Sequence, residues 1–561
     1  MDTVNSYYDG TLNMVTNNVF VSNKNADNDT YTFSDMMKQP DKAEFIKAMI
    51  NEIEDHDNRG HWTKVLRNTM PKGHKTIMSV WSFKRKRFPD GRIMKHKARL
   101  CAHGGQQVFG VNYWDTYSPV VNWISVRLLL TICHVHDLDS QSIDFVLAFP
   151  QASLDIEIFM EIPNGMTFSE GDHKSWVLRL DKSLYGLKQA SSNWYEMLKK
   201  GLLDRDFTQS AIDPCVFYKK DMILLVYVDD VIVVAKKNKQ IDDLVQSLLE
   251  GNENFKLTSE GTIDHYLGVG LKRFDDGSFE ASQPNLIQRL LKYVNIDPKV
   301  TGSRPTPVTI PLLHKDQDGP DRKYTWNYRA AIGMLNYLAG STRPDISMAV
   351  HQVARFSNEP KLSHEKAVMR LCRYLLDTSC HGLVYKPDLK KGLELFVDAD
   401  FAGNWKNADA DHPENCLSRT GYVIRYNNCC ILWKSQLQTE ITLSSTESEY
   451  VALSQALRQV LPVIETLKEF NKIFPEVSLP KPKVHCKVHE DNVSCIKMTE
   501  SDKFTPRTKH ISLKYHWFKE HARSGLFDIV YINTKEQLAD ILTKPLDQYN
   551  FKRLRKLLIG Y

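Results

Sequence analysis

The sequence predicts a mixed α/β protein built from several domains. Its 561 residues exceed what one hydrophobic core normally holds, at about 150 residues per domain. Segments with helical periodicity alternate with short, nearly continuous apolar runs of strand length, such as LVYV and VIVVA. A stretch rich in Pro, Gly and charge, TGSRPTPVTIPLLHKDQDGPDRK, separates two such mixed regions and is the best linker candidate. Three or four domains are therefore expected.

Composition and charge exclude several classes of protein. Hydrophobic residues make up 42% of the chain, so disorder throughout is excluded. The net charge is only +5, which by itself argues against a protein that coats nucleic acid. None of the ten cysteines forms a C-x-x-C pair, which indicates a reducing, intracellular setting rather than a disulfide framework or a zinc site. The start is polar, and no apolar run approaches the roughly 20 residues of a membrane span.

The first part of the chain predicts a helix followed by a basic hairpin. Residues 1–40 are expected to form a loose arm, because Met1 to Thr30 are polar and lack periodicity. In DKAEFIKAMINEIEDH, apolar residues recur at helical spacing. In WSFKRKRFPDGRIMKHKARL, Pro-Asp-Gly indicates a turn between two strands. Eight Lys or Arg lie between Lys84 and Arg99 against one acid. A solvated surface explains such a run equally well, and only its concentration on one hairpin favours a functional role.

The middle of the chain carries an unusual group of acids. IDF predicts a strand that carries Asp144, and MILLVYVDDVIVVA predicts two apolar strands joined at Asp229-Asp230. Asp-Gly or Asn-Gly would make an ordinary tight turn, whereas two adjacent acids beside a buried sheet call for a cation. With Asp144 on a neighbouring strand, these acids could hold two divalent ions about 4 Å apart for phosphoryl transfer. That Asp229 and Asp230 are only polar turn residues is, on pattern alone, an equally good interpretation.

A second group of acids lies at the ends of elements in the last third. Asp398 lies within the apolar strand LELFVDADFAG, and Glu449 lies at the start of the helix SSTESEYVALSQAL. Asp491 ends the strand KVHEDN, and Asp540 lies in the helix of TKEQLADILTK. Four acids in this order suggest a two-metal nuclease. By themselves they are a weak signal, because acids at helix starts are commonly caps.

The motifs resemble a known family. YVDD flanked by apolar residues resembles the catalytic hairpin of reverse transcriptases. The surrounding sequence resembles the copia-type (Pseudoviridae) branch of LTR retrotransposon polyproteins in KARLCAHGGQQVFGVNYWDTYSPVV, IDFVLAF, SLYGLKQA, DHYLGV and YRAAIGMLNYLAGSTRPDISMAV. FVDAD, SSTESEY, EDN, RTKHI and QLADILTKPL resemble the ribonuclease H domain of the same polyproteins. The blocks occur in the family's order and cover roughly Lys42 to Leu546.

The resemblance implies an architecture. It is a right-hand reverse transcriptase with fingers, palm and thumb, followed by a connection segment and a ribonuclease H-like α/β domain. The expected divisions are an arm (1–40), fingers and palm (41–270), thumb (271–300), linker (301–325), connection (326–391) and ribonuclease H-like domain (392–561).

The resemblance also implies roles for residues of the polymerase part. Asp144, Asp229 and Asp230 match the metal-binding triad. The residues that match the nucleotide-binding positions are Lys97, Arg99, Phe149, Gly186 and Gln189. Of these, Phe149 matches the aromatic residue that excludes a 2′ hydroxyl, although a plain core Phe is the alternative. The chain departs from the family at Ser191-Ser192 and at His103, from which altered efficiency rather than lost chemistry is expected.

In the ribonuclease H part, Asp398, Glu449, Asp491 and Asp540 match the four catalytic acids. Glu449 is preferred to Glu447 because it lies seven and eight residues before Ala456-Leu457, the spacing seen in related ribonucleases H. Asp400 is expected to be structural. The plausible contacts to the substrate backbone are Arg507, Lys509 and His510, although a solvated loop is as good an explanation.

The predicted function is that of an RNA-directed DNA polymerase with an attached ribonuclease H. Two Mg²⁺ ions per active site are expected, with Mn²⁺ as an alternative. The expected partners are an RNA template, a DNA primer, the RNA–DNA hybrid and deoxynucleoside triphosphates, with no membrane and with a dimer or a virus-like particle left open. The expected location is the cytoplasm, within such a particle, or the nucleus.

Two other interpretations stay open. One is a decayed or repurposed relic that only binds nucleic acid, although all seven expected metal ligands are present. The other is a chain in which only the nuclease is active, because the departures lie on the polymerase side. No zinc knuckle, D-S/T-G protease motif or integrase zinc pattern occurs in the sequence. The chain therefore resembles only the C-terminal portion of such a polyprotein.

Overall fold

The structure is a computed structural model that describes residues 29–87, 92–166, 173–297, 304–405, 413–474, 485–501, 511 and 515–561. The chain forms two compact units. The first comprises Met1–Ser118 and Leu147–Lys199, and the second comprises Pro119–Val146 and Lys200–Tyr561. Among the described residues, no helix is long and apolar enough to cross a membrane.

The first unit contains two small sheets and a long amphipathic helix. One sheet has the strand order Thr30–Tyr31, Ser79–Arg87, Ile93–Ala102. The other has the order Trp62–Leu66, Trp176–Lys182, Ser153–Glu161, Thr76–Ile77. The helices are Phe33–Met36, Lys42–Asn58, Ala148–Gln151 and Ala190–Leu203, the last of which continues into the second unit.

The predicted helix and basic hairpin are both confirmed. The helix Lys42–Asn58 buries Phe45, Met49 and Ile53 on one face, as its apolar spacing predicts. Ser79–Arg87 and Ile93–Ala102 pair antiparallel, with Lys84 opposite Lys97. The predicted turn, Pro89-Asp90-Gly91, lies outside the described residues.

The prediction of a loose arm up to residue 40 is wrong for its last part. Thr30 and Tyr31 pair with Lys84 and Phe83, and a short helix follows at Phe33–Met36. The reason is apolar contact: Met36 is fully buried, and the Tyr31 ring packs edge-on against Phe45 at 5.9 Å. Residues 1–28 lie outside the described part of the chain.

The second unit begins with the sheet that carries the first group of acids. Its strand order is Leu257–Gly261, Asp139–Phe145, Asp230–Ala235, Met222–Tyr227, Val216–Lys219, Thr208–Gln209. The helices Trp123–Val135 and Asn238–Glu250 belong to the same part of the chain. Both arms of the Met222–Ala235 hairpin are almost wholly buried, as expected for the apolar central strands of a sheet.

A second sheet joins the predicted thumb to the predicted connection. Its order is His265–Tyr266, Val269–Arg273, Phe279–Ser282, Leu383–Tyr385. The helices here are Pro284–Tyr293, Tyr328–Ser341, Ser347–Ala354 and Leu362–Asp377. The described part of the predicted linker, residues 304–325, contains no helix or strand. Its Val308 and Leu313 are nevertheless buried, so this segment is packed against the unit.

A mixed sheet closes the second unit. Its order is Cys429–Leu437, Arg419–Tyr426, Leu393–Asp400, Cys486–Glu490, Phe527–Tyr531, and the last three strands run parallel. The helices are Ser445–Ile473, Val493–Glu500, Lys519–Arg523, Asp540–Thr543 and Gln548–Ile559. The predicted α/β class is thereby confirmed. The finer division into six segments stays a prediction.

A buried arginine joins three parts of the second unit. Arg127 Nη1 donates to the Ile431 carbonyl at 3.0 Å, and Nη2 donates to the carbonyl of Ser341 at 3.1 Å. Its guanidinium lies 4.1 Å from the centre of the Trp433 ring. The helix Trp123–Val135, the helix Tyr328–Ser341 and the last sheet therefore share one continuous core.

Candidate active sites

The hairpin acids and Asp144 lie at one end of the first sheet of the second unit. Asp230 is the residue directly opposite Asp144 in the antiparallel pairing, and it is opposite Tyr227 across the turn. The Phe145 N–H donates to the Asp229 carbonyl at 3.0 Å, which ties the turn to the strand of Asp144. All three acids are half-buried. The strand register therefore pairs Asp144 with Asp230, and the turn places Asp229, the third acid that the sequence predicts as a metal ligand, next to them.

The turn that presents these acids is strained. Tyr227 pairs with Asp230, so Val228 and Asp229 form a two-residue loop, and Val228 has a φ of 57°. A β-branched residue at positive φ is unfavourable, and such outliers concentrate at functional sites. The surrounding strands hold this turn because both are buried and fully paired.

Burial and like charges make ionisation of the hairpin acid Asp230 less favourable. Burial raises the pKa of Asp230 to about 6, and the neighbouring Asp229 and Asp144 act in the same direction. Burial and the acids Asp230 and Asp229 also raise the pKa of Tyr227. A divalent cation would relieve this repulsion, and oxygen ligands from carboxylates suit Mg²⁺.

In the first unit, the side chain of Arg99 and the rings of Tyr185 and Phe149 lie next to one another. The Arg99 guanidinium lies over the Tyr185 ring at 4.6 Å, and the centre of the same ring is 5.0 Å from that of Phe149. Burial and the neighbouring Arg99 lower the pKa of Lys97. Arg99 and Phe149, predicted separately, therefore both contact Tyr185, which the sequence reasoning missed.

Gly186 is required by close backbone packing. Its φ is 92°, and a Cβ there would lie 2.2 Å from the Ala102 carbonyl oxygen. Gly104 has the same constraint, because its Cβ would lie 2.1 Å from the Gly186 carbonyl oxygen. Two glycines thus lock the loop at residue 186 onto the end of the basic hairpin.

Gln189 is a buried supporting residue. Its Oε1 accepts from Gln107 Nε2 at 2.9 Å, and its Nε2 donates to the Asn112 carbonyl at 2.9 Å. Both polar atoms of its side chain thus form hydrogen bonds with the loop that contains Gln107 and Asn112. Its role in nucleotide binding stays a prediction. Of the departures from the family, His103 is exposed, whereas Ser191 and Ser192 are half-buried in the first turn of the helix Ala190–Leu203.

The second group of acids converges on the last sheet. Asp398 is fully buried in the central strand, and Asp491 follows the parallel strand beside it. Each of Asp398, Glu449 and Asp491 offers an oxygen atom that lies within 4.8 Å of those of the other two. Among the described residues, this is the one group of three or more Asp, Glu, His or Cys side chains whose possible ligand atoms approach one another this closely. The parallel strands and the packed helix explain why acids so distant in sequence meet.

Glu447 and Glu449 have different surroundings. The helix begins at Ser445, so Glu449 lies one turn in rather than at the start. Glu447 Oε2 accepts from the Leu443 N–H at 2.8 Å, and its own N–H donates to Ser444 Oγ at 3.2 Å, which is a helix-capping arrangement. Glu449 faces the other acids, and burial together with Asp398 raises its pKa well above the usual value.

Asp540 joins the acids through a lysine. Lys544 Nζ lies 2.7 Å from Asp540 Oδ1 and 2.9 Å from Asp398 Oδ1. Thr543 Oγ1 also donates to Asp398 Oδ2. Burial and Asp398 raise the pKa of Asp540 to about 7 despite this ammonium, while the two carboxylates raise the pKa of Lys544 against the effect of its burial.

A fifth acid, Glu490, interacts electrostatically with the cluster. Glu490 is fully buried, and burial together with Asp491 and Asp398 raises its pKa well above the usual value. Within the described chain, the Oε2 atoms of Glu490 and Glu449 are buried without a hydrogen-bond partner. Orphaned carboxylate oxygens beside three convergent acids fit divalent-metal ligation.

The remaining predicted residues have different outcomes. Asp400 is half-buried, and burial together with Asp398 raises its pKa. Arg507, Lys509 and His510 lie outside the described residues, so their roles stay predictions. Sequence reasoning missed Lys544 and Glu490. The signals were present, since Lys544 lies four residues after Asp540 and Glu490 directly precedes Asp491.

Residues 62–312 match the reverse transcriptase (RNA-dependent DNA polymerase) family. The chain is 31% identical over 545 residues to the retrovirus-related Pol polyprotein from transposon TNT 1-94 of Nicotiana tabacum, covering 95% of this chain and 39% of that protein. It is 31% identical over 514 residues to that from transposon RE1 of Arabidopsis thaliana (90% and 33% covered). It is 25% identical over 505 residues to the Ty1-NL2 Gag-Pol polyprotein of Saccharomyces cerevisiae (86% and 27% covered).

The chain therefore spans about a third of the length of these curated relatives. A solved foamy viral protease–reverse transcriptase in complex with double-stranded DNA has 12% identity and a TM-score of 0.45, covering 87% of this chain and 69% of that one. The predicted family is confirmed by the sequence matches: the chain belongs to the Ty1/copia-type retrotransposon Pol polyproteins, with a reverse transcriptase domain at residues 62–312.

Proposed function

We propose that this chain is an RNA-directed DNA polymerase with a ribonuclease H activity. The observation that carries the proposal is the presence of two separate carboxylate groups in a chain of this family, one on the Asp229-Asp230 hairpin and one around Asp398. Two such centres suit two different reactions at phosphorus, synthesis and hydrolysis of a nucleic-acid strand.

For polymerisation, Asp144, Asp229 and Asp230 would hold two Mg²⁺ ions. When bound, these ions lower the barrier by stabilising the attacking 3′ oxygen and the leaving pyrophosphate. The protein's part is to fix the three carboxylates, which the pairing of Asp230 with Asp144 and the Phe145 hydrogen bond to Asp229 support.

In the first unit, Lys97 and Arg99 would neutralise the triphosphate. Arg99 is held over Tyr185, so its planar guanidinium is pre-oriented for phosphate oxygens. Phe149, against the same ring, would contact the nucleotide sugar and disfavour a 2′ hydroxyl. Tyr185 would then be a positioning residue for both.

For hydrolysis, Asp398, Glu449, Asp491 and Asp540 would hold the divalent ions that activate a water molecule. The orphaned oxygens of Glu449 and Glu490 and the raised pKa values of these two glutamates support this role, because the cluster carries more negative charge than its burial tolerates. The substrate would be the RNA strand of an RNA–DNA hybrid. Binding is expected to rest on phosphate contacts and to weaken with salt.

Primer extension tests the polymerase. The full chain is incubated with an RNA template, a DNA primer and deoxynucleoside triphosphates in Mg²⁺ or Mn²⁺, beside the variant Asp229→Asn/Asp230→Asn. Loss of metal-held carboxylates is expected to reduce extension at least about a thousandfold. A wild-type chain that extends no primer in either metal contradicts the polymerase assignment.

Cleavage of a labelled RNA–DNA hybrid tests the nuclease independently. Asp491→Asn is expected to abolish cleavage while primer extension continues. Asp528→Asn, at an acid on the neighbouring strand outside the cluster, is the matched control. Unchanged cleavage in Asp491→Asn would remove that acid from the site.

A further inference from the structure

The acid cluster around Asp398 has two unlike halves. In one half, Asp398, Glu449 and Asp491 each bring an oxygen within 4.8 Å of the others. Among the described residues, neither Glu449 nor Asp491 forms an ion pair with a Lys or Arg. In the other half, Asp398 and Asp540 are bridged by the ammonium of Lys544, at 2.9 and 2.7 Å. The carboxylates of Glu449 and Asp491 are therefore open to a cation, whereas the Asp398–Asp540 pair already contains one.

Lys544 is bound firmly but not immovably. It follows the short helix Asp540–Thr543, and its backbone N–H donates to the Asp540 carbonyl at 3.0 Å, so its main chain is fixed beside the acids. Its side chain is 33% exposed, whereas that of Asp398 is 0% exposed. A lysine carries its charge on a flexible four-carbon stem. The ammonium can therefore swing into solvent without any movement of the backbone.

A lysine and a divalent ion cannot share these oxygens. The ammonium already engages Asp398 Oδ1 and Asp540 Oδ1, and two cations a few ångströms apart repel each other, so a divalent ion at these carboxylates would compete with Lys544. An ion that bridges these two carboxylates can bind only when Lys544 withdraws. Withdrawal is favoured when a nucleic-acid phosphate offers the ammonium another partner.

We propose that Lys544 is a built-in cation that occupies the Asp398–Asp540 position and regulates metal loading of the nuclease centre. One divalent ion binds at Asp398, Glu449 and Asp491, where the lysine is ion-paired with Asp398 alone. A second binds between Asp398 and Asp540 only after displacement of the lysine. The inference rests on the proposed nuclease function for its biological meaning, but its central claim concerns ion binding alone.

Calorimetric titration with Mn²⁺ tests this claim without nucleic acid. All proteins are full-length and carry Asp229→Asn/Asp230→Asn, which removes the other acid group from the count. The parent protein is expected to bind one Mn²⁺ tightly and a second at least about tenfold more weakly, because the second must displace an ammonium. Lys544→Met is expected to tighten the second ion at least about tenfold and to change the first by less. Lys535→Met, at an exposed lysine in the preceding turn, is the matched control and should match the parent.

Two results overturn the proposal. One is a second-ion affinity in Lys544→Met equal to that of the parent, and the other is a parent protein that binds both ions equally well. If Lys544→Met does not fold, Lys544→Gln is judged by the same criteria, and the two affinities of the parent still test the proposal independently of any substitution at Lys544.

The outcome is separable from that of the proposed function. Hybrid cleavage, measured with the unmutated Asp229-Asp230 hairpin, reports on the nuclease. A chain that cuts no hybrid but shows the Lys544→Met effect loses the nuclease assignment and retains the lysine's role. A chain that cuts hybrid without that effect does the reverse.

Discussion

The two acid centres of this chain handle negative charge in different ways. The half-buried hairpin acids are Asp229, in the two-residue turn, and Asp230, at the start of the next strand, and burial with like charges raises the pKa of Asp230 to about 6. The centre at Asp398 is buried in a sheet, includes a fifth acid, and contains its own cation in Lys544. In a shallow site, solvent and substrate can stabilise the excess negative charge. In a buried site, an internal counter-charge must do so until metal binds.

The largest expected effect is that a substitution at Asp398 abolishes hybrid cleavage but leaves primer extension intact. Asp398→Asn removes the acid that both halves of the nuclease centre share, so cleavage should fall at least about a thousandfold. Primer extension should stay within about twofold, because the hairpin acids have a sheet of their own. Both activities are measured on one preparation. Cleavage within about tenfold of wild type would show that Asp398 is not a shared ligand.

The two glutamates of the long helix should behave oppositely. Glu449→Gln should reduce cleavage about a hundredfold or more without lowering thermal stability, because the pKa of Glu449 is raised by its burial and it gains little from being charged. Glu447→Ala removes the acceptor of the Leu443 N–H at the start of the helix and should cost about 1 kcal/mol of unfolding free energy with cleavage retained. Assays of cleavage and urea unfolding on both variants check this. A reversed pattern would assign the ligand role to Glu447.

The pH dependence of metal-free stability should differ between the centres. A carboxyl whose folded pKa is raised stabilises the fold below its unfolded pKa, near 4, and that contribution is lost as the pH rises through the folded value. The loss should end near pH 6 for Asp230 and near pH 7 for Asp540. In EDTA, the Tm of the parent protein should fall as the pH rises through these ranges. Asp540→Asn should reduce this fall up to about pH 8, whereas Asp230→Asn should reduce it only below about pH 7. Identical Tm profiles in the two variants would contradict this difference.

The smallest expected effect concerns the strained turn. Val228→Gly places at a φ of 57° a residue that accepts this conformation, so stability should rise by up to about 1 kcal/mol after the entropy cost of glycine. Denaturant unfolding of the full chain measures it, with Val231→Gly, in the buried strand, as a control that should destabilise. A loss of stability in Val228→Gly would mean that the turn is not strained.

Particular residues show how far sequence pattern reached. The helix at residues 42–58 and the basic hairpin followed from apolar spacing and charge, because local periodicity reports which face is buried. The structured segment at residues 30–36 did not, since its few apolar residues are ordered by long-range contacts such as those with Phe83 and Phe45. Gln189 was predicted from a motif, yet its buried hydrogen bonds to Gln107 and Asn112 could not be read from one.

The sequence by itself determined the alternation of helices and strands, the family, and which acids to examine, because these depend on residue type and short spacing. Only the tertiary structure decided that Lys544 bridges Asp398 and Asp540, that Glu490 joins the cluster, and that Tyr185 contacts both Arg99 and Phe149. The physical reason is that charge interactions depend on distances of a few ångströms and on burial. Strand register and helix packing set both quantities for Asp398 and Lys544, which are 146 positions apart in the sequence.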